Sequence, residues 1–288
     1  MDASLKITEF NDPACPFGWS AEPFRRRIDW LYGDQIAWEL KIVGLSDSPE
    51  HYTDKDITPE KISASFEKLG LEHGMPMDAR VRPRMFATEP ACKAIVAARL
   101  RMPETERALM RHLRLEHFRG DRIIDEPEAI AAAARAAGID SDQLDGWMAE
   151  EDVERAFADD MCLAREPSPA ARAQVERLAA EGENGFRLTC PSWEIERLSD
   201  GATLSVPGFQ PLRAYEVAIA NLIPDATKRE TPADVGEVLD WAHEPLASAE
   251  VAVVCEIDLA EARQRLGRVA GEEPLGQDGL WTKVGLGR

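Results

Sequence analysis

Two strand-like segments that flank a single helix at the start of the chain restrict the fold to a few architectures. Residues 5–10 alternate apolar and polar side chains, with the period of two that is typical of a β-strand. After a short turn, a helix is predicted to begin at Cys15-Pro16, because proline is favoured in a first helical turn, and to end at Gly33. Residues 35–43 form the second strand. Strands joined in this way lie parallel, so the sequence predicts an α/β fold.

Later segments divide the chain into three predicted units. Residues 58–180 contain one helix-start signal after another and indicate an all-helical block. Strand patterns return at residues 186–190 and in a hairpin over 193–206, and a helix follows over 212–222. The predicted organisation is a discontinuous sheet domain (1–57 and 181–230), a helical insertion (58–180), and a helical C-terminal extension with a Gly-rich tail (231–288).

Charge and cysteine content exclude several classes of protein. The chain has 53 acidic and 34 basic residues, a net charge of −19, and nucleic-acid binding needs clustered Lys and Arg. No apolar run approaches the roughly 20 residues of a membrane span, and the N-terminus lacks the pattern of a secretory signal. Five cysteines, an odd number, do not form a secreted disulfide framework. We therefore expect a cytoplasmic protein without nucleic-acid or membrane partners.

Cys15 lies at the junction between the first predicted strand and the predicted helix. A cysteine at a helix N-terminus faces unpaired backbone N–H groups and the positive end of the helix dipole. Both favour the thiolate, the nucleophilic form, and can lower the thiol pKa from roughly 8.5 by one or more units. The alternative is a buried cysteine that serves as a small apolar side chain. Position alone leaves both interpretations open.

The segment Asp12-Pro13-Ala14-Cys15-Pro16-Phe17-Gly18-Trp19 resembles the active-site segment of the DsbA-like branch of the thioredoxin superfamily, which includes the FrnE-type dithiol-disulfide isomerases. Residues 82–88 and 91–138 resemble the helical insertion of that family, and Cys190-Pro191-Ser192-Trp193 resembles its cis-proline hairpin. The resemblance covers about residues 5–223. It implies a thioredoxin-like fold with a large all-helical insertion, to which the pattern of this chain adds a helical C-terminal extension.

The resemblance also implies roles for individual residues. Cys15 would be the nucleophile, Pro191 the cis-proline that positions the substrate backbone, and the residues after Cys15 would line the substrate site: Pro16, Phe17, Gly18 and Trp19. One position departs from the family, because Gly18 replaces its second active-site cysteine. In a dithiol site that second thiol resolves the mixed disulfide. Cys190, just before Pro191, is a candidate resolving thiol, and the alternative is a passive residue whose backbone contacts substrate.

Three functions follow from this site. The first is a DsbA-like thiol–disulfide oxidoreductase or isomerase with Cys15 as nucleophile and Cys190 as resolving thiol. The second is a transferase or isomerase that depends on a low-molecular-weight thiol, similar to kappa-class transferases and chromene-carboxylate isomerases. The third is a catalytically silent thioredoxin-fold binding protein. The expected partner is a disulfide-containing protein or a small thiol, no cofactor or metal is expected to be resident, and a homodimer is compatible with the sequence.

The sequence pattern predicts structural rather than functional roles for the other cysteines, two histidines and Glu22. Cys92, Cys162 and Cys255 lie in apolar helical stretches and are predicted to be core residues. His112 and His117 are separated by five residues, so they point in different directions around a helix and are predicted to lie on its surface rather than to share a metal. Glu22 is predicted to be a solvated helix position.

Overall fold

The computed structural model describes residues 3–182 and 185–283. Its strands are β1 Leu5–Asn11, β2 Ile36–Ile42, β3 Ala179–Glu181, β4 Gly185–Arg187, β5 Ser192–Arg197, β6 Ala202–Val206, β7 Leu246–Ala247, β8 Ala270–Leu275 and β9 Asp278–Lys283. Its helices are α1 Pro16–Ser20, α2 Glu22–Tyr32, α3 Glu50–Thr53, α4 Pro59–His73, α5 Glu89–Arg101, α6 Glu106–Arg119, α7 Pro127–Ala136, α8 Ser141–Met148, α9 Glu151–Ala164, α10 Pro169–Arg172, α11 Leu212–Leu222, α12 Val235–Ala242, α13 Ser248–Cys255 and α14 Leu259–Leu266.

A four-stranded sheet in the order β2-β1-β5-β6 forms the centre of the fold. β1 and β2 run parallel with Leu5 opposite Ile36, as the strand–helix–strand pattern predicts. β5 pairs antiparallel with β1 and with β6, so the predicted hairpin is present. The sheet and its many helices confirm the α/β thioredoxin-like fold class.

The first helical segment differs from the single helix expected between Cys15 and Gly33. It is divided at Ala21 into α1 and α2. Pro23 is the second residue of α2 and has no backbone N–H to donate to the carbonyl of Trp19. The short α1 therefore stands as a separate turn that presents the residues after Cys15.

The insertion contains seven helices, α4 to α10, and most of them surround one apolar core centred on α5. Its end differs from the prediction, because β3 pairs with β4 in a separate two-stranded hairpin. The strand predicted over residues 186–190 therefore does not join the central sheet. Only its first two residues belong to β4, and the chain then leads irregularly to the cis-proline turn.

The C-terminal extension has the predicted helices, α12 to α14, but residues 270–283, which include most of the Gly-rich tail predicted over 271–288, form a β-hairpin. With β7 this hairpin builds a three-stranded sheet in the order β7-β9-β8. Gly276 at its turn has φ +56°, and a Cβ there would overlap the Met77 carbonyl. Glycine thus permits the tail to pack closely against the insertion. Residues 284–288 of the tail lie outside the described residues.

The extension is built into the body of the protein. Val238, Leu246 and Val251 share one buried cluster with Leu5 and Ile7 of the central sheet. Burial of that many apolar side chains makes the extension part of the same folded unit. Within the described ranges, none of the helices combines the length and apolar character that crossing a bilayer would require.

Candidate active site

Cys15 is the N-cap residue of α1. Its backbone is extended, and Pro16, with its fixed φ, occupies the first helical position. The backbone N–H of Gly18 donates a hydrogen bond to Cys15 Sγ at 3.4 Å. The side chain is only 5% exposed. The sequence pattern therefore places the sulfur where helix N–H groups can stabilise a thiolate.

Cys190 lies against Cys15 from the opposite side of the site. The Cys190–Pro191 peptide bond is cis, and Cys15 Sγ lies 3.5 Å from the Cys190 carbonyl oxygen, to which the thiol can donate. The hydrogen bond from the Cys190 thiol lowers the pKa of Cys15, against the opposing effect of burial. Burial, and then the proximity of Cys15, raise the pKa of Cys190 well above its usual value. Both thiols are free.

A buried carboxylate that the sequence analysis did not single out holds the loop before Cys15. Asp12 is completely buried and accepts hydrogen bonds at 2.9 Å from the backbone N–H groups of Ala14 and Leu45 and from the Thr88 hydroxyl. Its negative charge opposes ionisation of Cys15 and raises the pKa of that thiol. Nothing in the motif distinguishes this aspartate from a solvated turn residue, because Leu45 and Thr88, the partners that bury it, come from segments far along the chain.

Gly18 occupies a position with no room for a side chain. A Cβ placed there would overlap Asn11 Oδ1 and lie 3.1 Å from Arg114 Nη2. Asn11 is fully buried and cannot easily move, because it donates to Glu9 at 2.6 Å and accepts from the Asp12 N–H at 2.9 Å. The space of the family's second cysteine is thus occupied by other side chains of this protein.

Buried ion pairs lie beneath the active-site helix. Glu22 forms an ion pair with Arg114, and both are almost fully buried, so the prediction of a solvated Glu22 is wrong. Burial alone would raise the pKa of Glu22, but Arg114 and the neighbouring arginines hold it at about 2. The pairing connects α2 with α6 and could not be deduced from local sequence. Arg111 on α6 similarly binds Glu250 of the extension at 2.8 Å.

Aromatic side chains surround the residues after Cys15. Phe17 is 41% exposed, and its ring lies 5.8 Å from Phe209 and 6.3 Å from His73. Trp19, in contrast, is completely buried and stacks on Phe118 at 5.4 Å, with the Arg111 guanidinium 4.7 Å from its ring. Phe17 therefore faces solvent beside Cys15, whereas Trp19 anchors α1 in the core.

The structure confirms the predicted burial of some of the other cysteines and corrects the predicted exposure of a histidine. Cys92 and Cys255 are buried as predicted, but Cys162 is exposed, because it points away from the core on α9. His117 is also buried rather than on a helix surface, and burial lowers its pKa well below the usual value. Across residues 3–182 and 185–283, no three His, Cys, Asp or Glu side chains gather as a metal site would require.

Comparisons with known proteins agree with this geometry. A thioredoxin family model matches residues 9–168. Over 94% of its length the chain is 23% identical to the ClpXP adapter protein SpxH of Halalkalibacterium halodurans, and the match covers 84% of that protein. A probable DsbA oxidoreductase from Streptomyces coelicolor has a TM-score of 0.55 at 16% identity, covering 80% of this chain and 94% of that one. The cytosolic disulfide reductase DsbM from Pseudomonas aeruginosa has a TM-score of 0.52 at 18% identity, covering 75% of this chain and 99% of that one. Since the family model spans more than half of the chain, the protein belongs to the thioredoxin family and has the fold of its DsbA-like oxidoreductases.

Proposed function

We propose that the protein is a thiol–disulfide oxidoreductase in which Cys15 is the nucleophile and Cys190 is the resolving thiol. The observation that carries the proposal is the placement of Cys15 Sγ against Cys190, 3.5 Å from its carbonyl oxygen, at the N-terminus of α1, with both thiols free. A helix N-terminus and a thiol donor both stabilise the Cys15 thiolate. The arrangement replaces a C-x-x-C pair with two cysteines that are 175 residues apart in sequence.

The proposed reaction begins with attack of the Cys15 thiolate on one sulfur of a substrate disulfide. The substrate disulfide breaks, its other sulfur leaves as a thiolate, and a mixed disulfide forms at Cys15. Cys190 then attacks Cys15 Sγ, and the second substrate sulfur leaves and takes up the proton of Cys190. Two electrons have passed from the two cysteines to the substrate, and a Cys15–Cys190 disulfide remains. Two molecules of a low-molecular-weight thiol, as co-substrate, would return this disulfide to the dithiol form and leave as their own disulfide.

The pKa directions suit this order of events. In the reduced site Cys190 is protonated, and the neighbouring Cys15 contributes to its raised pKa. Once Cys15 is bonded to substrate it carries no negative charge, so that contribution disappears and Cys190 ionises more easily. Formation of the mixed disulfide thus activates the resolving thiol. Pro191, next to Cys190, and the exposed Phe17 are the proposed substrate-positioning residues.

Trapping experiments test the proposal. With a protein or small-molecule disulfide, the Cys190→Ser variant is expected to accumulate the mixed disulfide at Cys15, whereas Cys15→Ser forms none. The matched control is Cys255→Ser, which removes a buried thiol outside this site and should turn over normally. Peptide mapping of the oxidised protein without reduction should show a Cys15–Cys190 crosslink. Release of substrate from the Cys190→Ser variant at the rate of the unmodified protein would contradict the resolving role.

A second candidate function, a protein-binding adapter, is favoured by the extent of the similarity. The match to the adapter SpxH covers 94% of this chain, whereas the match to DsbM covers 75%. Part of this protein therefore has no counterpart in the reductase but is matched in the adapter. We infer that an adapter function would leave Cys15 dispensable. Under this alternative, Cys15→Ser and Cys190→Ser should bind a partner as tightly as the unmodified protein.

A further inference from the structure

A short segment with little regular structure packs on the apolar cluster that contains the two thiols of the site. Residues 165–178, here termed the cover, follow α9 and contain only the four-residue α10 and one short 3-10 turn. Ala171 of the cover belongs to the buried apolar cluster that also contains Cys15 and Cys190, and the partly buried Leu178 packs against that cluster. Cys15 and Cys190 are only 5% and 7% exposed. The cover therefore packs on the same apolar cluster as the two thiols.

Side chains, rather than strand pairing, attach the cover to the sheet. Ser168 donates to the two carboxylate oxygens of Glu194 on β5 at 3.0 and 3.1 Å. Gln174 donates to the Ser205 carbonyl at 3.2 Å, and the Arg177 carbonyl accepts from the Thr189 hydroxyl at 3.0 Å. Across the described residues, no backbone–backbone hydrogen bond joins the cover to the central sheet. A segment held in this way can separate from its support at lower cost than a strand.

At the start of the cover, Arg165 also donates to the Val43 carbonyl at 3.1 Å and pairs with Glu181 at 3.0 Å. Glu194 is the charged group that the central sheet contributes to these attachments. It accepts from the hydroxyls of Ser168 and Ser205, and within the described ranges it has no ion-pair partner. Burial raises the pKa of its carboxyl group, and the two hydroxyls oppose that effect. Ser168 also caps α10, because its hydroxyl oxygen accepts a hydrogen bond from the Ala171 N–H. The Ser168–Glu194 contact thus fixes the same turn that carries Ala171 into the cluster of the two thiols.

We propose that the cover is a gate over Cys15 and that the Ser168–Glu194 contact is its latch. This inference rests on the proposed function in one respect: opening of the gate would admit the substrate disulfide. Closed, the gate keeps the reduced thiols away from solvent oxidants. Opening breaks the bond to Glu194, separates Ala171 and Leu178 from the cluster, and exposes Cys15 without unfolding the sheet.

Alkylation of individual cysteines by iodoacetamide, resolved by peptide mass, tests the gate in the full-length protein. Two other cysteines serve as internal references: Cys162 is exposed and reports intrinsic thiol reactivity, and Cys92 is buried in the insertion core and reports global unfolding. Ser168→Asp preserves a capping oxygen for α10 but places a second carboxylate against Glu194. Ser168→Ala removes the latch without adding charge. Ser205→Ala is the matched control, because it removes the other hydroxyl of Glu194 but leaves the latch.

A hydrogen bond to a charged group contributes about 1.5–3 kcal/mol, and here it would stabilise the closed gate. Its loss in Ser168→Asp is therefore expected to increase the rate of Cys15 alkylation about tenfold or more. Ser168→Ala should change the rate in the same direction, and adding Glu194→Gln to Ser168→Asp should restore it. Ser205→Ala should leave it unchanged. Cys15 rates within about twofold of the unmodified protein in both Ser168 variants would overturn the gate, given the size of the expected effect. Equal acceleration at Cys92 would overturn it too, since global unfolding would then control access.

This outcome is separable from the fate of the proposed function. Alkylation consumes no disulfide and requires no resolving thiol. A protein that fails the trapping experiments can still show the latch effect, and an active oxidoreductase can still lack it.

Discussion

Replacement of Gly18 by alanine tests whether the site is built around a missing side chain. An interior helical glycine replaced by alanine ordinarily gains about 0.5–1 kcal/mol, because alanine loses less backbone entropy on folding. At Gly18 the added Cβ would overlap Asn11 Oδ1, lie 3.0 Å from Asn11 Cγ, and lie 3.1 Å from Arg114 Nη2. Overpacking of this kind costs about 1–3 kcal/mol. We therefore expect the overlap to cancel the helical gain and to destabilise the protein.

Gly146 provides the matched comparison. It also lies inside a helix, α8, but a Cβ there would meet nothing within 4 Å. Gly146→Ala should thus show only the stabilisation that alanine provides inside a helix. The free energy of unfolding of Gly18→Ala should be lower than that of Gly146→Ala by about 1–3 kcal/mol, which is the cost of overpacking. The assay is equilibrium unfolding in urea, with the slope of each transition checked for a change of unfolded state.

A result in which Gly18→Ala stabilises the protein as much as Gly146→Ala would refute the reasoning. It would mean that Asn11 moves aside without cost. In that case Gly18→Cys should also be tolerated and should restore a C-x-x-C pair. If the reasoning holds, Gly18→Cys destabilises the fold and gains no dithiol activity, and combining Gly18→Ala with Asn11→Ala gives a loss smaller than the sum of the two single losses.

Three further predictions concern ionisation and packing. Cys190→Ala removes the thiol that hydrogen-bonds to Cys15, so the pH midpoint of Cys15 alkylation should rise, whereas Cys255→Ala should leave it unchanged. Since the pKa of Glu22 is about 2 in the fold and 4.5 without it, the carboxylate contributes stability that is present above about pH 4.5 and is lost as pH falls towards 2. Glu22→Gln should make the free energy of unfolding depend less on pH over that range. It should also lower that free energy by about 3–5 kcal/mol at neutral pH, because Arg114 remains buried without a counter-ion. A pH dependence as steep as that of the unmodified protein would contradict this prediction. Gly276→Ala should destabilise the extension in thermal unfolding, because its φ is positive and its Cβ would overlap Met77, and an unchanged melting temperature would count against that packing.

The buried arginines make the C-terminal extension relevant to the active site. Arg111 contacts Trp19 of the active-site helix on one side and Glu250 of α13 on the other. Arg27 on α2 also donates to the Val254 carbonyl at 2.8 Å. These contacts fix the helix that follows Cys15 against the extension. The oxidoreductase and adapter candidates therefore involve one packed unit rather than two independent modules.

Local sequence determined the elements that begin the site. The alternation of residues 5–10, the proline after Cys15 and the hairpin over 193–206 predict strands and a helix start from short-range periodicity and backbone chemistry, and the structure contains them. The placement of Cys15 at a helix N-terminus follows from the same local signals, because capping involves residues within one turn.

Tertiary structure decided what surrounds the sulfur. Asp12, Glu22 and His117 are buried because segments 30 or more residues away close over them, and no local pattern distinguishes them from solvated residues. The tail became a hairpin for the same reason: its apolar side chains are buried by β7 and α13, not by neighbours in sequence. The sequence by itself thus determined that Cys15, the residue that we propose as the nucleophile, lies at a helix N-terminus. Burial and charge contributed by distant segments decided how its thiol ionises and what can reach it, because both depend on distances that only the folded chain defines.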